Sequence, residues 1–122
     1  LKGKVIFLHF WSAGCGVCLA EMPTLQRLAA EVKDDGVAFV FAAVRNEDTT
    51  WDVADEYGPE MPVYALTEKR PACYGNRVPA TYIITADGKL AFSQRGPADW
   101  EAESVTAYLR DLAMRTHVTD TQ

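Results

Sequence analysis

An unbroken apolar and aromatic run, followed closely by two cysteines, constrains this chain more than any other feature. The run covers residues 5–11 and reads Val-Ile-Phe-Leu-His-Phe-Trp, with His9 as its single polar side chain. Such a run predicts a central strand that is buried on both faces. Cys15 and Cys18 follow after a short link of small residues, and a helical pattern begins there. We therefore expect the cysteines to lie where a core strand passes into the N-terminus of a helix.

The two cysteines are expected to play different roles. Their spacing allows a disulfide to close with little movement of the backbone. Cys15 lies at the helix start, where unpaired N–H groups and the helix dipole favour negative charge, so its pKa should fall and its thiolate should be the attacking sulfur. Cys18 lies one turn inside, on the buried side. It should be the resolving thiol, which attacks a mixed disulfide formed on Cys15.

A structural zinc site is the alternative that the cysteine spacing leaves open. Such a site needs a second pair of Cys or His ligands. The remaining candidates are Cys73, His9 and His117, and none of them forms a pair. A purely structural disulfide is disfavoured as well, because so short a loop removes little entropy from the unfolded chain. We therefore expect a redox-active Cys15–Cys18 disulfide, no other cofactor and no metal.

The residues around the cysteines resemble the active-site segment of the thioredoxin superfamily. Residues 10–23 read Phe-Trp-Ser-Ala-Gly-Cys-Gly-Val-Cys-Leu-Ala-Glu-Met-Pro. Glu21 followed by Met-Pro, and the Leu-Lys-Gly-Lys-Val opening of the chain, are similar to the TlpA/ResA-like thiol-disulfide oxidoreductases. A second motif, Val-Pro-Ala-Thr at residues 78–81, lies far downstream. The resemblance implies an α/β thioredoxin-like fold, a central mixed sheet flanked by helices, with a TlpA/peroxiredoxin-type helix-strand insertion.

The resemblance also implies roles for residues outside the cysteine pair. Base rates favour a trans bond before an isolated proline, but the proline that Pro79 matches is cis in this superfamily and packs beside the disulfide. A cis bond would turn the backbone of Val78 outward to pair with an extended substrate peptide, and it would keep metal away from the thiols. Trp11 is expected to pack under the active site and to make a minor contact with substrate.

Three positions depart from the family pattern. Gly14 stands where a second Trp is usual, which should leave the surroundings of Cys15 more open. Val17 stands where Pro is commonest between the cysteines, so the redox potential cannot be carried over from relatives. His9 stands where thioredoxin has a buried Asp and many TlpA-like proteins have Asn.

Two residues are candidates for handling the proton of Cys18. Glu21 follows Cys18 by three residues and so shares its buried helix face. It could be an acid favoured only by the helix dipole, but we favour a proton-handling role, since desolvation would raise its pKa into a useful range. His9 lies on the strand below. A lone core histidine is usually a hydrogen-bonded filler, and a proton role is the alternative because imidazole titrates near neutrality.

The pattern along the first half of the chain predicts a βαβ unit. A helix should run from about residue 15 to 33, kinked at Pro23 and stopped by Gly36. A buried parallel strand should follow at residues 37–44. The polar loop that comes next leads to further predicted elements, a short helix at 51–57, an edge strand at 62–66 and a second short helix at 69–75.

The second half predicts a hairpin and a closing helix. Strands at 80–85 and 89–95 flank an Asp-Gly turn. Asp99 is expected to cap the last helix, whose core-facing residues should be Val105, Tyr108, Leu109 and Leu112. Cys73 should be a small, buried or half-buried residue; a peroxiredoxin-like resolving role or a second disulfide is the alternative, without a partner motif. His117 lies in a polar tail without a role.

Bulk composition limits the kinds of partner. The chain has 122 residues, and 12 Lys and Arg against 17 Asp and Glu give a net charge of −5. This charge argues against nucleic acid or an anionic membrane surface as partner, and no apolar run is long enough to span a bilayer. We expect one domain over residues 1–122, excised from a longer precursor because it opens almost inside the first strand.

These observations together predict a thiol-disulfide oxidoreductase. The resemblance implies a reductase of protein disulfides that is supplied by an upstream electron donor. We expect a monomer in a periplasmic or other extracytoplasmic compartment, tethered to the membrane by a missing N-terminal segment. One alternative is a thiol peroxidase in which Cys15 attacks a peroxide, although peroxiredoxins use a Thr/Ser-x-x-Cys site with an Arg. The other is a thioredoxin-fold binding module with an idle dithiol.

Overall fold

The computed structural model describes residues 3–45, 47–57, 61–66 and 77–120, with side chains through residue 115. Eight elements follow one another along these ranges. They are β1 (Val5–Trp11), α1 (Gly16–Val32), β2 (Val37–Ala43), α2 (Asp48–Ala54), β3 (Val63–Ala65), β4 (Ala80–Ile84), β5 (Leu90–Arg95) and α3 (Glu103–Asp120).

The five strands form one mixed sheet in the order β3-β2-β1-β4-β5. β2 pairs parallel to both β1 and β3, whereas β4 pairs antiparallel to both β1 and β5. The central place of β1 explains why its sequence is an apolar run, since a central strand has neighbours on both edges and packing on both faces. The α/β thioredoxin-like sheet expected from the sequence is confirmed, with α2 and β3 between β2 and β4.

The main core lies between one face of the sheet and the helices α1 and α3. Alternate residues of β1 and β2 point to this face, as the two-residue period of a strand requires. Residues of α1 at helical spacing cover them, and Leu109 and Leu112 of α3 complete the cluster. A smaller cluster on the opposite face contains Phe10, Ala42, Ala80 and Tyr82. Cys18, in the first turn of α1, and Trp11, at the end of β1, belong to the same main cluster.

The connections follow the turn chemistry read from the sequence. Gly36, after the end of α1, has a φ of +79°, and its carbonyl accepts a hydrogen bond from Val5 N. Gly88 has a φ of +88° in the hairpin between β4 and β5. These left-handed conformations suit glycine because it has no Cβ. The helix α1 is continuous through Pro23.

Several predicted details are wrong. α2 begins three residues earlier than predicted, so that Asp48 occupies its first turn. α3 begins at Glu103 rather than after Asp99. Asp99 instead accepts a hydrogen bond from Glu101 N in the preceding turn. Tyr108 does not face the core, since it is exposed and its hydroxyl donates to the carbonyl of Ala91 on the edge strand β5.

Some expectations fall outside the part of the chain that the structure describes. The short helix predicted at 69–75 and the environment of Cys73 lie there, as does the side chain of His117. Among the described residues, no helix combines the length and the apolar composition needed to cross a bilayer.

Candidate active site

The cysteine pair lies at the start of α1, as predicted. Cys15 is the N-cap residue and has extended backbone angles, φ −100° and ψ 107°. Its Sγ accepts a hydrogen bond from Cys18 N at 3.1 Å, and its carbonyl accepts one from Leu19 N at 3.1 Å. Cys15 and Cys18 are joined in a disulfide with a Cα–Cα distance of 5.2 Å. The sulfur of Cys15 therefore receives an N–H group of the first turn, the arrangement that stabilises a thiolate.

The two sulfurs differ in their access to solvent. Cys15 is partly exposed, whereas Cys18 is fully buried in the main core. Val17, between them, is 50% exposed. An incoming group can thus reach Cys15 from solvent and can reach Cys18 only through Cys15 or after rearrangement.

A cleft of about 530 Å³ opens beside Cys15. It is lined by residues 12–15 of the β1–α1 loop, by Arg45 and Glu47 after β2, and by Val78 before β4. At Gly14, a Cβ would meet only Ser12 Oγ, at 3.8 Å. This is an ordinary van der Waals contact, so there is space for a side chain at this position.

Val78 and Pro79 lie next to this cleft. The Val78–Pro79 peptide bond is cis, which is the geometry that the resemblance implies. Pro79 is buried, and its carbonyl accepts a hydrogen bond from Gly96 N at 2.7 Å. The structure therefore brings Val78 and Cys15 to the same cleft although 63 positions separate them in the chain.

Trp11 does not reach the cleft. Its side chain is 0% exposed and belongs to the main core. Its Nε1 has no hydrogen-bond partner among the described residues. The expected packing of Trp11 in the core is observed, and its minor contact with substrate stays a prediction.

Glu21 is buried one turn after Cys18, with 7% of its surface exposed. Its Oε2 accepts two hydrogen bonds, from Ala98 N at 3.0 Å and from Trp100 Nε1 at 2.9 Å. Its Oε1 accepts none from the described residues. Burial raises the pKa of this carboxyl, while the N–H groups of Ala98 and Trp100 oppose the rise. The carboxyl is thus positioned on the same helix face as Cys18 and is easier to protonate than a surface Glu.

His9 lies below Glu21 on β1. The antiparallel register of β1 and β4 places His9 opposite Thr81, and His9 Nδ1 is 2.7 Å from Thr81 Oγ1. On the other side of the ring, Nε2 is 3.9 Å from Glu21 Oε1. His9 is fully buried, and burial lowers its pKa to about 4. The imidazole is therefore neutral at physiological pH, and it lies between Thr81 of β4 and the Glu21 carboxyl.

Sequence reasoning missed two partners of this buried network. Thr81 stood within the Val-Pro-Ala-Thr motif, and its place opposite His9 could have been found by aligning the two strands. Trp100 carried no such signal, since it lies in a loop 79 residues from Glu21. No cluster of three or more His, Cys, Asp or Glu that could hold a metal ion exists among the described residues.

Comparison with solved structures identifies the class of fold. StoA from Bacillus subtilis is 19% identical, and the match covers 92% of this chain and 84% of that one with a TM-score of 0.72. The exposed lipoprotein thioredoxin Etrx1 from Streptococcus pneumoniae strain TIGR4 is 25% identical, with coverage of 90% and 86% and a TM-score of 0.68. The fold is that of the thioredoxin-like proteins.

Sequence comparison then identifies the family. The family model described as Redoxin matches residues 1–112, and the chain belongs to this family as a TlpA/ResA-like member. It is 32% identical over 116 residues to the thiol-disulfide oxidoreductase ResA of Oceanobacillus iheyensis, a match that covers 93% of this chain and 59% of that protein. The chain spans about half to two-thirds of the length of the curated relatives it matches.

Proposed function

We propose that this chain is a thiol-disulfide oxidoreductase that reduces disulfides in other proteins. The observation that carries the proposal is the unequal placement of the two sulfurs. Cys15 is partly exposed at a helix N-cap, where Cys18 N donates to its sulfur, and Cys18 is fully buried behind it. This placement provides one sulfur that attacks from the surface and one that resolves from inside. The name of the ResA relatives supports the same activity.

The first step of the proposed reaction is attack by Cys15 on a substrate disulfide. The Cys15 thiolate forms a bond to one substrate sulfur, the substrate S–S bond breaks, and the other substrate sulfur leaves as a thiolate that takes a proton from water. The N–H groups at the start of α1 stabilise the negative charge of the Cys15 thiolate. The product of this step is a mixed disulfide between Cys15 and the substrate.

The second step is resolution by Cys18. The buried thiol gives its proton to the Glu21 carboxylate, and the resulting thiolate attacks Cys15 Sγ. The Cys15–Cys18 disulfide forms, the mixed disulfide breaks, and the second substrate sulfur leaves reduced. Two electrons have then passed from the cysteine pair to the substrate. An upstream dithiol donor must return them before the next turnover, and Glu21 must release its proton.

The cleft beside Cys15 is the proposed binding site for the substrate peptide. Val78 lines it and offers backbone groups before β4, while Arg45 and Glu47 add charges of both signs at its edge. An extended peptide could pair with the backbone of Val78 and place its disulfide over Cys15. The open position at Gly14 leaves room for the protein chain that carries that disulfide.

The compartment and assembly state are part of the same proposal. We place the protein in an extracytoplasmic compartment, where substrate disulfides form and persist. We propose that it is a monomer there. The description of Etrx1 as an exposed lipoprotein supports such a location.

Reduction of a model protein disulfide tests the proposal. With a dithiol donor present, the parent protein should accelerate the reduction of insulin, and Cys15→Ser should not. A redox titration of the pair should show one two-electron transition at a potential typical of dithiol oxidoreductases. Rapid consumption of hydrogen peroxide without reduction of insulin would instead favour a peroxidase, and a pair that cycles with neither substrate would favour a binding module.

A further inference from the structure

The feature that the cysteine chemistry leaves unused is the His9 side chain, which contacts the active-site carboxyl from below. We propose that His9 is a positioning residue that serves Glu21 in both of its protonation states. In this scheme Nε2–H donates to the Glu21 carboxylate, and the Nε2 lone pair accepts from the protonated carboxyl. In the first state the Thr81 hydroxyl donates to Nδ1, and in the second state Thr81 Oγ1 accepts from Nδ1–H. The inference rests on the proposed function of Glu21 as the group that receives the Cys18 proton.

The geometry fixes both ends of this buried chain. Glu21 Oε2 is held by two donors, Ala98 N and Trp100 Nε1, so the free oxygen, Oε1, is the one that faces His9 Nε2 at 3.9 Å. His9 Nδ1 is held by Thr81 Oγ1 at 2.7 Å. A separation of 3.9 Å exceeds a direct hydrogen bond, and a small movement of the carboxylate or one bridging water closes it.

The hydrogen-bonding capacity of these groups allows each donor and acceptor to exchange roles. A neutral imidazole has one donor nitrogen and one acceptor nitrogen, and a hydroxyl can donate or accept. Glu21 as a carboxylate offers Oε1 only as an acceptor, whereas the protonated carboxyl can donate. His9 can satisfy both states by exchanging its tautomer, provided that Thr81 reverses its role at the same time. A buried polar atom without a partner is costly, so the two exchanges should occur together.

The proton count of each step is defined. When Cys18 passes its proton to Glu21, the carboxyl gains one proton. Nε2 loses its proton and Nδ1 gains one by exchange with water, so that the imidazole is neutral in the initial and the final state. When Glu21 releases its proton, the ring proton returns to Nε2 and Thr81 again donates to Nδ1. The network thus takes up and releases one proton per turnover, with no buried net charge on the histidine.

Among the described residues, few other ionisable groups face His9 and Glu21. Phe41 of β2 packs against the His9 ring with a centroid distance of 6.0 Å, and the neighbouring ring on β1 is Phe7. From α1 the ionisable neighbour on the same helix face is Cys18, and from the loop 96–102 two uncharged donors, Ala98 N and Trp100 Nε1, contact Glu21.

Charged residues of that loop are directed elsewhere. Asp99 and Glu101 are exposed, and Glu101 pairs with Arg27. Since burial lowers the pKa of His9 to about 4 and raises that of Glu21, the carboxyl changes its protonation state while the imidazole remains neutral. These conditions allow the tautomer of His9 to report the state of Glu21.

Nitrogen NMR of the imidazole tests the inference directly. The oxidised protein is labelled with ¹⁵N-histidine in a His117→Gln background, which leaves His9 as the one histidine. The ionisation of Glu21 is followed separately by the ¹³C shift of its carboxyl. As the pH rises through that ionisation, the ring proton should move from Nδ1 to Nε2, with both signals sharing one midpoint. One fixed tautomer across the Glu21 titration, or an imidazolium pattern at the midpoint, would overturn the inference.

Three variants sharpen the result. Glu21→Gln should give a single His9 tautomer from pH 5 to 8, because no carboxyl titrates beside it. Thr81→Ser retains the hydroxyl and should preserve the exchange of tautomers. Thr81→Val should hold the ring as Nε2–H, since an unpaired Nδ1–H is disfavoured in a core. A tautomer that still exchanges in Thr81→Val would contradict the role given to Thr81.

The NMR readout is independent of the reductase assay. A coupled exchange of tautomers in a protein that reduces no disulfide would refute the proposed function alone. A fixed tautomer in an active reductase would refute the inference alone. The parent titration needs no substitution in the network, so a variant that fails to fold does not remove the test.

Discussion

The two sides of the cysteine pair differ in what they contain. On the outer side, Cys15 faces a cleft with Arg45 and Glu47 at its edge, and Val17 is half exposed. On the inner side, Cys18 lies in the core with Glu21 and His9. The outer side offers access and backbone N–H groups, and the inner side offers ionisable groups shielded from water. The proposed mechanism therefore places sulfur attack and proton transfer on opposite faces of a single helical turn.

The largest effect on turnover is expected from replacing either cysteine by serine. Cys15→Ser should abolish turnover, because no thiolate remains on the accessible side. Cys18→Ser should still attack but cannot resolve, so mixed disulfides with substrate should accumulate on Cys15. Acid-quenched samples analysed by non-reducing electrophoresis and mass spectrometry measure both. If the two variants trap equal amounts of mixed disulfide, the outer sulfur is not the attacking one and the inner sulfur is not the resolving one.

The next effect concerns the inner carboxyl. Glu21→Gln should slow resolution of the mixed disulfide by about a hundredfold, the low end of the contribution of a positioned proton acceptor. Attack by Cys15 should change much less, because that step takes place on the outer side. Single-turnover stopped-flow kinetics separate the two steps. Glu31→Gln, on the same helix with its side chain 61% exposed, is the matched control and should resolve at the parental rate.

The inner side should also make the fold sensitive to acid. The pKa of His9 is lowered from 6.5 to about 4, so below pH 6.5 the unfolded chain binds a proton that the native protein does not. Between pH 7.5 and 5.5 this one group should reduce the free energy of unfolding by about 1.4 kcal/mol. The pH dependence from Glu21 has the opposite sign. Because its pKa is raised in the native state, Glu21 stabilises the native state at low pH, and this contribution is lost as the pH rises.

Urea unfolding at pH 7.5 and pH 5.5 measures the contribution of His9 to the free energy of unfolding. His9→Asn should lose less stability on acidification than the parent protein, whatever its stability at pH 7.5. His117→Asn serves as the control for removing a histidine elsewhere and should behave like the parent. If His9→Asn and the parent lose the same free energy on acidification, the imidazole is not held neutral in the core.

The smallest effect is expected from the loop that holds Glu21. Trp100→Phe removes one of the two donors to Oε2, and because that donor lowers the pKa of Glu21, its loss should raise this pKa. The pH profile of resolution should move to higher pH, with a few-fold slower rate on the acidic side. In the double variant with Glu21→Gln the shift should vanish. A shift that persists there would arise from packing rather than from the carboxyl.

Local patterns predicted much of this architecture. The apolar run at residues 5–11 predicted β1 with its bounds, and helical spacing predicted α1 to within a residue or two. The Asp-Gly turn predicted the β4–β5 hairpin. Each of these features depends on neighbours in sequence. The position of Cys15 at a helix N-cap followed from the same local reading.

Contacts between distant segments were harder to predict. Trp100 reaches Glu21 from a loop 79 residues away, and no local pattern records that contact. Trp11 was expected mainly to pack under the active site, and the alternation of β1 turns it fully into the core. Asp99 looked like a helix cap, but the chain makes one further turn before α3 begins. Burial and distant partners decided each of these cases.

The two hydrogen bonds from residues 98 and 100 to Glu21 have a consequence for how this protein can diverge. They tie the proton affinity of the active site to the segment that carries the chain from β5 into α3. An insertion in that segment, or a redocking of α3, would change the chemistry without altering either cysteine. Sequence changes in a loop remote from the Cys-Gly-Val-Cys motif can therefore shift the pH at which natural variants are active. A search for the motif would not detect such changes.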